Sequence, residues 1–245
     1  MKLAGKTDIG NCRKENQDNY RAARLPDDTV WAAVCDGMGG AAAGQLASQM
    51  AIDALEDCFT ALPQLAQGQE RAFLLKCLTR ANRAVFDEST REASHKGMGT
   101  TAVCALVRDG VAHIAHAGDS RAYLYRAGEL RQLTRDHSMV QQLVEAGQIT
   151  SDEAEHHPHK NLITRALGIE PEMQYDYLRE NVQDGDVLLL CSDGLSGFVP
   201  DDQLRDILQR TPFFVTPRKL IERALAAGGQ DNITALLIGV EPTED

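Results

Sequence analysis

The chain has 245 residues, of which 43% are hydrophobic and 25% are charged, and its formal net charge is -11 at pH 7. This length is sufficient for one domain with a substantial core, and we expect a single domain over residues 1–245. The acidic balance argues against nucleic-acid and anionic membrane partners, because phosphate groups recruit Lys and Arg.

No apolar run approaches the roughly 20 residues that cross a bilayer. The N-terminus turns polar at once, without the apolar centre of a secretory signal. Six cysteines are present and none form a C-x-x-C pair, so free thiols in a reducing compartment are expected. We therefore predict a cytoplasmic protein without a membrane partner.

The first half of the chain predicts a strand, two helices and a group of strands. The apolar run 30–35 predicts the first buried strand. Two helical patterns follow, with apolar residues at Leu46, Met50, Ala54, Leu55 and Phe59, then at Phe73, Cys77, Leu78, Ala81 and Val85. The runs 100–107, 111–117 and 122–125 are separated by short turn signals, which predicts an antiparallel meander.

Residues 134–168 differ from the rest and are interpreted as a flap inserted on the main body. Asp136 is expected to cap a short helix that ends at Gly147. Thr150 and Glu153 have the spacing of a capping box.

The last third of the chain returns to regular elements. Run 187–191 predicts a strand, and the two Asp residues at 201–202 are expected to cap a helix. The Thr-Pro pair at 216–217 predicts the start of another helix, which the Gly pair at 228–229 ends. Run 233–240 predicts the final strand. This order of elements favours the α+β class.

Two of the apolar runs end in the same dipeptide, at Asp36-Gly37 and at Asp193-Gly194. Three more carboxylates occupy comparable positions, at Asp18, Asp119 and Asp231. One Asp-Gly after a strand is typical of a turn, but several strand-end carboxylates that converge would repel one another unless a cation compensates them. Oxygen ligands alone select Mg²⁺ or Mn²⁺. Two such ions can activate a water for attack on phosphorus.

The ordered set of motifs resembles the metal-dependent serine/threonine protein phosphatases of type 2C, in their compact bacterial form. The motifs span nearly the whole chain. They are Asp8-Ile9-Gly10 with Arg13, Asn16-Gln17-Asp18, Asp36-Gly37-Met38-Gly39-Gly40, Gly97-Met98-Gly99-Thr100-Thr101, Gly118-Asp119-Ser120-Arg121, Leu133-Thr134-Arg135-Asp136-His137-Ser138, Ile163-Thr164-Arg165-Ala166-Leu167-Gly168, Ser192-Asp193-Gly194-Leu195 and Asp231-Asn232.

The resemblance implies a single catalytic domain of the α+β class. Its expected core is a central antiparallel β-sandwich flanked by helix pairs, in four α-β-β-α layers. A cleft at one end would hold two core Mn²⁺ or Mg²⁺ ions and a weaker third. Phosphoserine and phosphothreonine esters would be hydrolysed by a metal-bridging water, without a covalent phosphoenzyme.

The resemblance also implies roles for the ligands. Asp36 is expected to bridge the two core ions, with Asp193 and Asp231 completing the first site. The Gly37 carbonyl is expected at the second site. Asp119, together with Asp193, matches the pair that holds the third ion.

Two further residues receive roles from the resemblance, and two depart from its pattern. Arg13 is expected to bind the substrate phosphate, and Asp18 to orient water or ligate weakly. Met38 occupies a position where other members carry a proposed histidine acid, so solvent or bound water must protonate the leaving group. Gln17 replaces a glutamate ligand, so the second ion is expected to bind less tightly.

The expected partners are phosphorylated proteins, with the chain opposing a bacterial serine/threonine kinase and acting as a monomer. The alternatives are a relative dedicated to one phosphoprotein, a pseudophosphatase that binds without turnover, and a metal-dependent nuclease, which the charge disfavours. A zinc or nickel site at His156, His157 and His159 is disfavoured because Pro158 precludes a regular helix. His157-Pro158 and Arg165 are expected to contact a phosphopeptide.

Overall fold

The computed structural model describes residues 1–61 and 65–241 and has an α+β architecture with two antiparallel sheets. The strands are β1 (Lys2–Asp8), β2 (Asp18–Arg24), β3 (Val30–Met38), β4 (Gly99–Thr100), β5 (Ala102–Arg108), β6 (Val111–Ala117), β7 (Arg121–Arg126), β8 (Glu129–Gln132), β9 (Asp176–Asn181), β10 (Val187–Cys191) and β11 (Ile233–Gly239). The helices are α1 (Ala41–Thr60), α2 (Glu70–Arg91), α3 (Met139–Glu145), α4 (Ser151–Glu155), α5 (Asp193–Ser196), α6 (Asp201–Arg210) and α7 (Thr216–Ala226).

One sheet has the strand order β1-β11-β10-β7-β8, and the other has the order β2-β3-β5-β6-β9 with β4 paired to β3. Among the described helices, none combines the length and apolar character that crossing a membrane requires.

Strand β3 shows why the first apolar run lacks the polar alternation of a surface strand. Trp31 and alternate residues after it pack in a cluster with α1 and α2, where the Trp31 and Phe59 rings stack at 4.4 Å. The intervening residues, beginning with Val30, pack in a second cluster that includes Leu190 and Leu236 of the other sheet. Successive side chains of a strand point to opposite faces, so both faces of β3 are buried.

A third cluster forms on the first sheet, where Leu189 and Leu237 pack with residues of α6 and α7. Adjacent residues on the same strands, Leu190 and Leu236, belong instead to the cluster shared with the other sheet. The period-two alternation of these strands therefore divides their side chains between two separate packed regions.

The sequence analysis missed β1, β2, β8 and β9, and each of these strands lies at the edge of its sheet. Edge strands pair on one side only and retain polar and exposed residues. In β1, for example, Lys2 and Gly5 are exposed between partly buried neighbours. Their sequences therefore lack the apolar runs that identified the central strands.

The predicted helix boundaries are partly correct. The Thr150–Glu153 capping box is present at α4, and α7 begins at Thr216 with Pro at its first turn. The cap predicted at Asp136 is wrong, because Ser138 accepts the capping bond from the Gln141 N–H while Asp136 binds Arg121.

The cap predicted at residues 201–202 is also wrong. Both residues lie inside the first turn of α6, which begins after Pro200 without a side-chain cap. Their carboxylates there still oppose the positive end of the helix dipole.

The antiparallel registers bring the predicted site residues to one end of the two sheets. Asp18 at the start of β2 pairs with Asp36 near the end of β3. Cys191 at the end of β10 pairs with Ala235 near the start of β11, so the loops carrying Asp193 and Asp231 are neighbours. The site is therefore assembled where strand ends of both sheets meet.

The packing between the sheets predicts a large cost for Leu190→Ala, because the Leu190 side chain is fully buried there. We expect the free energy of unfolding to fall by about 2–5 kcal/mol, through lost burial and the cavity left behind. Urea unfolding measures this change. Leu162→Ala, at a side chain that is 51% exposed, is the control and should change stability by less than about 0.5 kcal/mol. Equal losses for the two variants would contradict the assigned core.

Candidate active site

A cleft of about 510 Å³ opens at the end of the sheets where these loops meet. Six of the seven predicted site residues line it: Arg13, Asp36, Gly37, Asp119, Asp193 and Asp231. The seventh, Asp18, is buried next to the cleft, opposite Asp36 in the β2–β3 register. Tertiary structure thus collects residues that are up to 218 positions apart along the chain.

Asp36 and Asp193 both line the cleft, each after a buried strand run. Burial raises the pKa of Asp36, and the Asp18 and Asp193 charges raise it further. Burial likewise raises the pKa of Asp193, with repulsion from Asp231 adding to the shift. The charged forms of both carboxyl groups are therefore disfavoured, and a cation in the cleft would relieve their repulsion.

Asp119 extends the same acidic environment from the loop after β6. The residue is buried, and burial raises the pKa of its carboxyl group, with repulsion from Asp193 as the next cause. Asp119 therefore shares with Asp193 the electrostatic coupling expected of two groups around one cation.

Two buried carboxylate oxygens have no hydrogen-bond partner among the described residues, Oδ1 of Asp193 and Oδ1 of Asp18. Unpartnered buried carboxylate oxygens are costly. The candidate ligands of the cleft are its aspartate carboxylates, and no described thiol or imidazole lines it. This oxygen-only set fits Mg²⁺ or Mn²⁺ rather than a softer metal.

The two Asp-Gly dipeptides both require glycine because the backbone approaches another segment closely. A Cβ on Gly37 would lie 2.0 Å from the carbonyl oxygen of Gly44, at the start of α1. A Cβ on Gly194 would lie 1.9 Å from the carbonyl oxygen of Asn232. Each glycine thus fixes its preceding aspartate by letting the strand end pack against a neighbouring loop.

Asp18 is held beneath the cleft by two hydroxyl groups. Its Oδ2 accepts a hydrogen bond of 2.6 Å from Ser192 Oγ and one of 2.7 Å from Thr234 Oγ1. Burial raises the pKa of this carboxyl group to about 7, against the lowering effect of the two hydroxyl donors. Asp18 therefore connects an edge strand of one sheet to two central segments of the other.

The sequence analysis missed Thr234 as part of this site. Its only signal is a hydroxyl residue within the otherwise apolar run 233–240. The same hydroxyl also contacts Thr7 Oγ1 at 2.8 Å.

The role of Asn232 could not be read from the sequence motif either. Its Nδ2 donates to the carbonyl oxygens of Ile9 and Glu15, both at 2.9 Å. Its Oδ1 accepts from the Gln17 N–H at 2.8 Å. Asn232 thus shapes the loop that carries Arg13, by satisfying three backbone groups at once.

Arg13 donates from Nη2 to Oδ2 of Asp231 at 2.7 Å, and this hydrogen bond raises the pKa of Arg13. The Arg13 side chain remains 53% exposed. A guanidinium group has five N–H donors, so this one ion pair leaves donors for an anionic ligand.

The Asp36 and Asp119 loops are joined through hydroxyl groups. The Asp36 N–H donates to Thr101 Oγ1 at 3.0 Å, and Thr101 Oγ1 contacts Ser120 Oγ at 2.7 Å. Thr101 also donates its N–H to the Asp36 carbonyl at 2.8 Å. These bonds fix the relative position of the two strand ends that carry the carboxylates.

His137 ties the start of the 134–168 segment to the loop before Asp119. Its Nδ1 accepts from the Gly118 N–H at 3.1 Å, and its own N–H donates to the Gly118 carbonyl at 2.9 Å. The His137 ring stacks on His116, with ring centroids 4.7 Å apart. His137 therefore supports the site from outside the cleft.

Arg165 is not among the residues that line the cleft, and its expected contact with a phosphopeptide stays a prediction. Its Nη1 donates to Asp176 Oδ1 at 2.7 Å and lies 3.2 Å from His137 Nε2. This network holds the end of the segment against β9. The segment contributes Asn161 and Ile163 to the cleft wall instead, and neither was predicted.

The chain is similar to known protein phosphatases over nearly its whole length. A family model described as protein phosphatase 2C matches residues 12–237. The serine/threonine phosphatase stp of Listeria monocytogenes is 38% identical over 241 residues, which cover 98% of this chain and 96% of the relative. The protein phosphatase PhpP of Streptococcus pneumoniae is also 38% identical, with 98% of each chain covered.

Two solved structures with similar folds are also serine/threonine phosphatases. The serine/threonine phosphatase Stp1 of Staphylococcus aureus superposes with a TM-score of 0.92 at 34% identity, covering 98% of this chain and 95% of that one. The catalytic domain of the serine/threonine protein phosphatase PstP, in complex with two manganese ions, gives a TM-score of 0.88 at 37% identity, with 98% of each chain covered.

The environment of Asp18 predicts that Thr234→Val destabilises the protein. The substitution removes one of two hydroxyl donors to a buried carboxylate, so we expect the free energy of unfolding to fall by about 1–3 kcal/mol. Thr79→Val, on the exposed surface of α2, is the matched control. Denaturant unfolding of both variants measures the difference. A Thr234→Val loss no greater than that of the control would refute the supporting role of this hydroxyl.

Proposed function

Because the chain belongs to the protein phosphatase 2C family, we propose that it hydrolyses phosphoserine and phosphothreonine esters in proteins, using Mn²⁺ or Mg²⁺ held in the acidic cleft. The observation that carries this proposal is the convergence of four aspartates and Arg13 on one cleft. The Listeria and Staphylococcus relatives are serine/threonine phosphatases, which supports the substrate class.

The ligand assignment is carried over from the family resemblance. Asp36 would be a ligand shared by two core ions, Asp193 and Asp231 would complete the first site, and the Gly37 carbonyl would serve the second. Two ions are supported by the two manganese ions of the similar PstP domain. Asp119, coupled electrostatically to Asp193, forms a weaker third site. When bound, these ions stabilise phosphoryl oxygens as Lewis acids and lower the pKa of the attacking water.

Water is the nucleophile that this cleft favours. Ser192 and Ser120 both use their hydroxyl groups in the hydrogen-bond networks that support the carboxylates. Cys35 and Cys191 are fully buried, and burial raises the pKa of both thiols. With these hydroxyl and thiol groups committed or buried, hydrolysis proceeds in one displacement by water and leaves no covalent phosphoenzyme. Asp18, through its unpartnered Oδ1, accepts a hydrogen bond that orients the water.

Arg13 binds the phosphate of the substrate. Its guanidinium is half exposed at the cleft and is oriented by Asp231. Paired N–H donors can bind two phosphate oxygens together. Met38 lines the cleft as well, and its thioether cannot donate a proton, so the leaving alkoxide takes its proton from solvent or from bound water. Gln17 supplies a neutral amide, consistent with weak binding of the second ion.

The wider arrangement is also part of the proposal. The three packed clusters support four α-β-β-α layers in one catalytic domain over 1–245, with 134–168 as a flap at the cleft. The chain acts as a monomer in the cytoplasm, where its free thiols are stable, and opposes a bacterial serine/threonine kinase. Its substrates are the phosphorylated kinase and the targets of that kinase.

The ligand assignment predicts that Asp36→Asn and Asp193→Asn each lower kcat/KM by roughly a hundredfold or more, because several kcal/mol of metal-dependent stabilisation are lost. Asp119→Asn should lower it only about tenfold, as expected for the weaker site. Phosphate release from a phosphothreonine peptide, with and without Mn²⁺, measures the effect. Asp53→Asn, at an exposed position on α1, is the control.

Calorimetric titration of Mn²⁺ separates catalysis from binding. The wild type should bind Mn²⁺, and Asp36→Asn and Asp193→Asn should bind it more weakly. If the wild type binds Mn²⁺ but releases no phosphate with either cation, the pseudophosphatase alternative replaces this proposal. If it binds neither cation, the ligand assignment is wrong.

The role of Arg13 predicts a different kinetic pattern. Arg13→Ala should raise KM for the phosphopeptide about 10- to 100-fold, because paired contacts to phosphate are lost. Arg13→Lys should recover part of the loss, since it keeps the charge but not the planar geometry. Arg205→Ala, at a surface ion pair, is the control. An unchanged KM for Arg13→Ala would remove Arg13 from phosphate binding.

A further inference from the structure

Asp119 differs from Asp36 in how its backbone is held. Asp36 lies within β3 and pairs with Asp18 of the neighbouring strand. Asp119 lies in the three-residue connection between the end of β6 at Ala117 and the start of β7 at Arg121. Strand pairing therefore does not fix the Asp119 backbone, and other contacts must do so.

Gly118, which directly precedes Asp119, is buried and is contacted by a neighbouring segment. Its φ angle is +105°, in the left-handed region that favours glycine. A Cβ at this position would lie 2.6 Å from Thr101 Cγ2, so Thr101 packs directly against the Gly118 backbone. Thr101 Oγ1 also accepts a hydrogen bond of 3.0 Å from the Asp36 N–H. Gly118 is therefore packed against a residue that also supports Asp36.

His137 binds Gly118 through both its backbone and its ring. The His137 N–H donates to the Gly118 carbonyl at 2.9 Å, and the Gly118 N–H donates to His137 Nδ1 at 3.1 Å. The Gly118 carbonyl belongs to the planar peptide bond that leads into Asp119, so fixing this carbonyl also fixes the Asp119 N–H. The direction in which the chain enters Asp119 therefore depends on His137.

The His137 ring is neutral and is itself held by its neighbours. Burial lowers the pKa of His137, and the Arg165 charge lowers it further. Because Nδ1 accepts from Gly118, the proton of the neutral ring lies on Nε2. Nε2 is 3.4 Å from Oδ2 of Asp176, and the ring stacks on His116 with centroids 4.7 Å apart. These contacts present Nδ1 to Gly118 as a fixed acceptor.

We propose that His137 is a positioning residue for the third cation site, and that its Nδ1 contact with Gly118 sets the affinity of Asp119 for Mn²⁺ or Mg²⁺. The proposal rests on the phosphatase function proposed above, because it concerns the cations of the same cleft. Removing a residue that orients a metal ligand typically costs about 10- to 100-fold in metal affinity. The 134–168 segment thus contributes to the site through the peptide next to a ligand.

The test is the binding of Mn²⁺ to the full chain, followed by the electron paramagnetic resonance signal of the free hydrated ion. Wild type should show tight binding and a weaker class that Asp119→Asn removes. His137→Phe keeps a ring that can stack on His116 but lacks the acceptor for Gly118, so it should weaken only the weaker class, by about 10- to 100-fold. The matched control is His113→Phe, at a partly buried histidine of β6 that contacts β9, and it should leave both classes unchanged.

A conservative variant separates the positioning role from a purely structural one. In His137→Asn, the side-chain oxygen can take the place of Nδ1 and accept the Gly118 N–H, although nothing replaces Nε2. This variant should retain most of the weaker Mn²⁺ binding. If it binds Mn²⁺ as weakly as His137→Phe does, the contact with Gly118 is not the cause and the proposal is overturned.

Asp176→Ala keeps the proposal testable if His137→Phe does not fold. The Asp176 side chain is 45% exposed, and its removal leaves His137 Nε2 without this partner. The weaker class should then bind Mn²⁺ several-fold less tightly, with the tight class unchanged. Unchanged binding in the weaker class would overturn the proposal.

The same titration separates failure of this proposal from failure of the proposed function. A wild type that releases phosphate but binds Mn²⁺ only in the tight class would overturn the roles of Asp119 and His137 and leave the phosphatase proposal in place. A wild type that binds no Mn²⁺ would overturn both proposals.

Discussion

The repulsion among carboxylates confined to one cleft is the constraint on which the rest of the structure depends. Asp36, Asp119 and Asp193 all have pKa values raised by burial and by neighbouring charges. The protein offsets this repulsion in part, through the Arg13–Asp231 ion pair. Divalent cations in the cleft would supply the further positive charge that the polypeptide does not provide.

Holding charges in this way requires a rigid support, and the two sheets provide it. Each carboxylate lies at a strand end, where pairing with neighbouring strands fixes the backbone. The hydrogen bonds of Thr101, Asn232 and Thr234 then satisfy backbone and carboxylate groups that would otherwise be buried without partners. The separate network around His137 and Arg165 attaches the 134–168 segment to the same loops. The positions of the carboxylates are therefore fixed by hydrogen bonds at the cleft, and the apolar packing of the two sheets supports these contacts.

Strands were predicted correctly from the sequence where they are buried and were missed where they lie at a sheet edge. Central strands such as β3 and β10 were predicted because both of their faces are buried, which leaves continuous apolar runs. The edge strands were missed because they need fewer apolar residues. Capping was predicted where local spacing determines it, at Thr150 and Glu153. It failed at Asp136, where a tertiary ion pair with Arg121 takes the carboxylate from the helix.

The sequence alone predicted an acidic site built from aspartates, because Asp-Gly after an apolar strand is a local pattern that can be recognised without knowledge of the fold. It also determined the family, through the order of motifs along the chain. Only tertiary structure decided which residues act together: that Asp18 lies beneath the cleft, that Asn232 shapes the Arg13 loop, and that Asn161 lines the cleft wall. The physical reason is that these contacts join segments far apart in sequence, and their hydrogen bonds depend on strand register and sheet packing that no local pattern encodes.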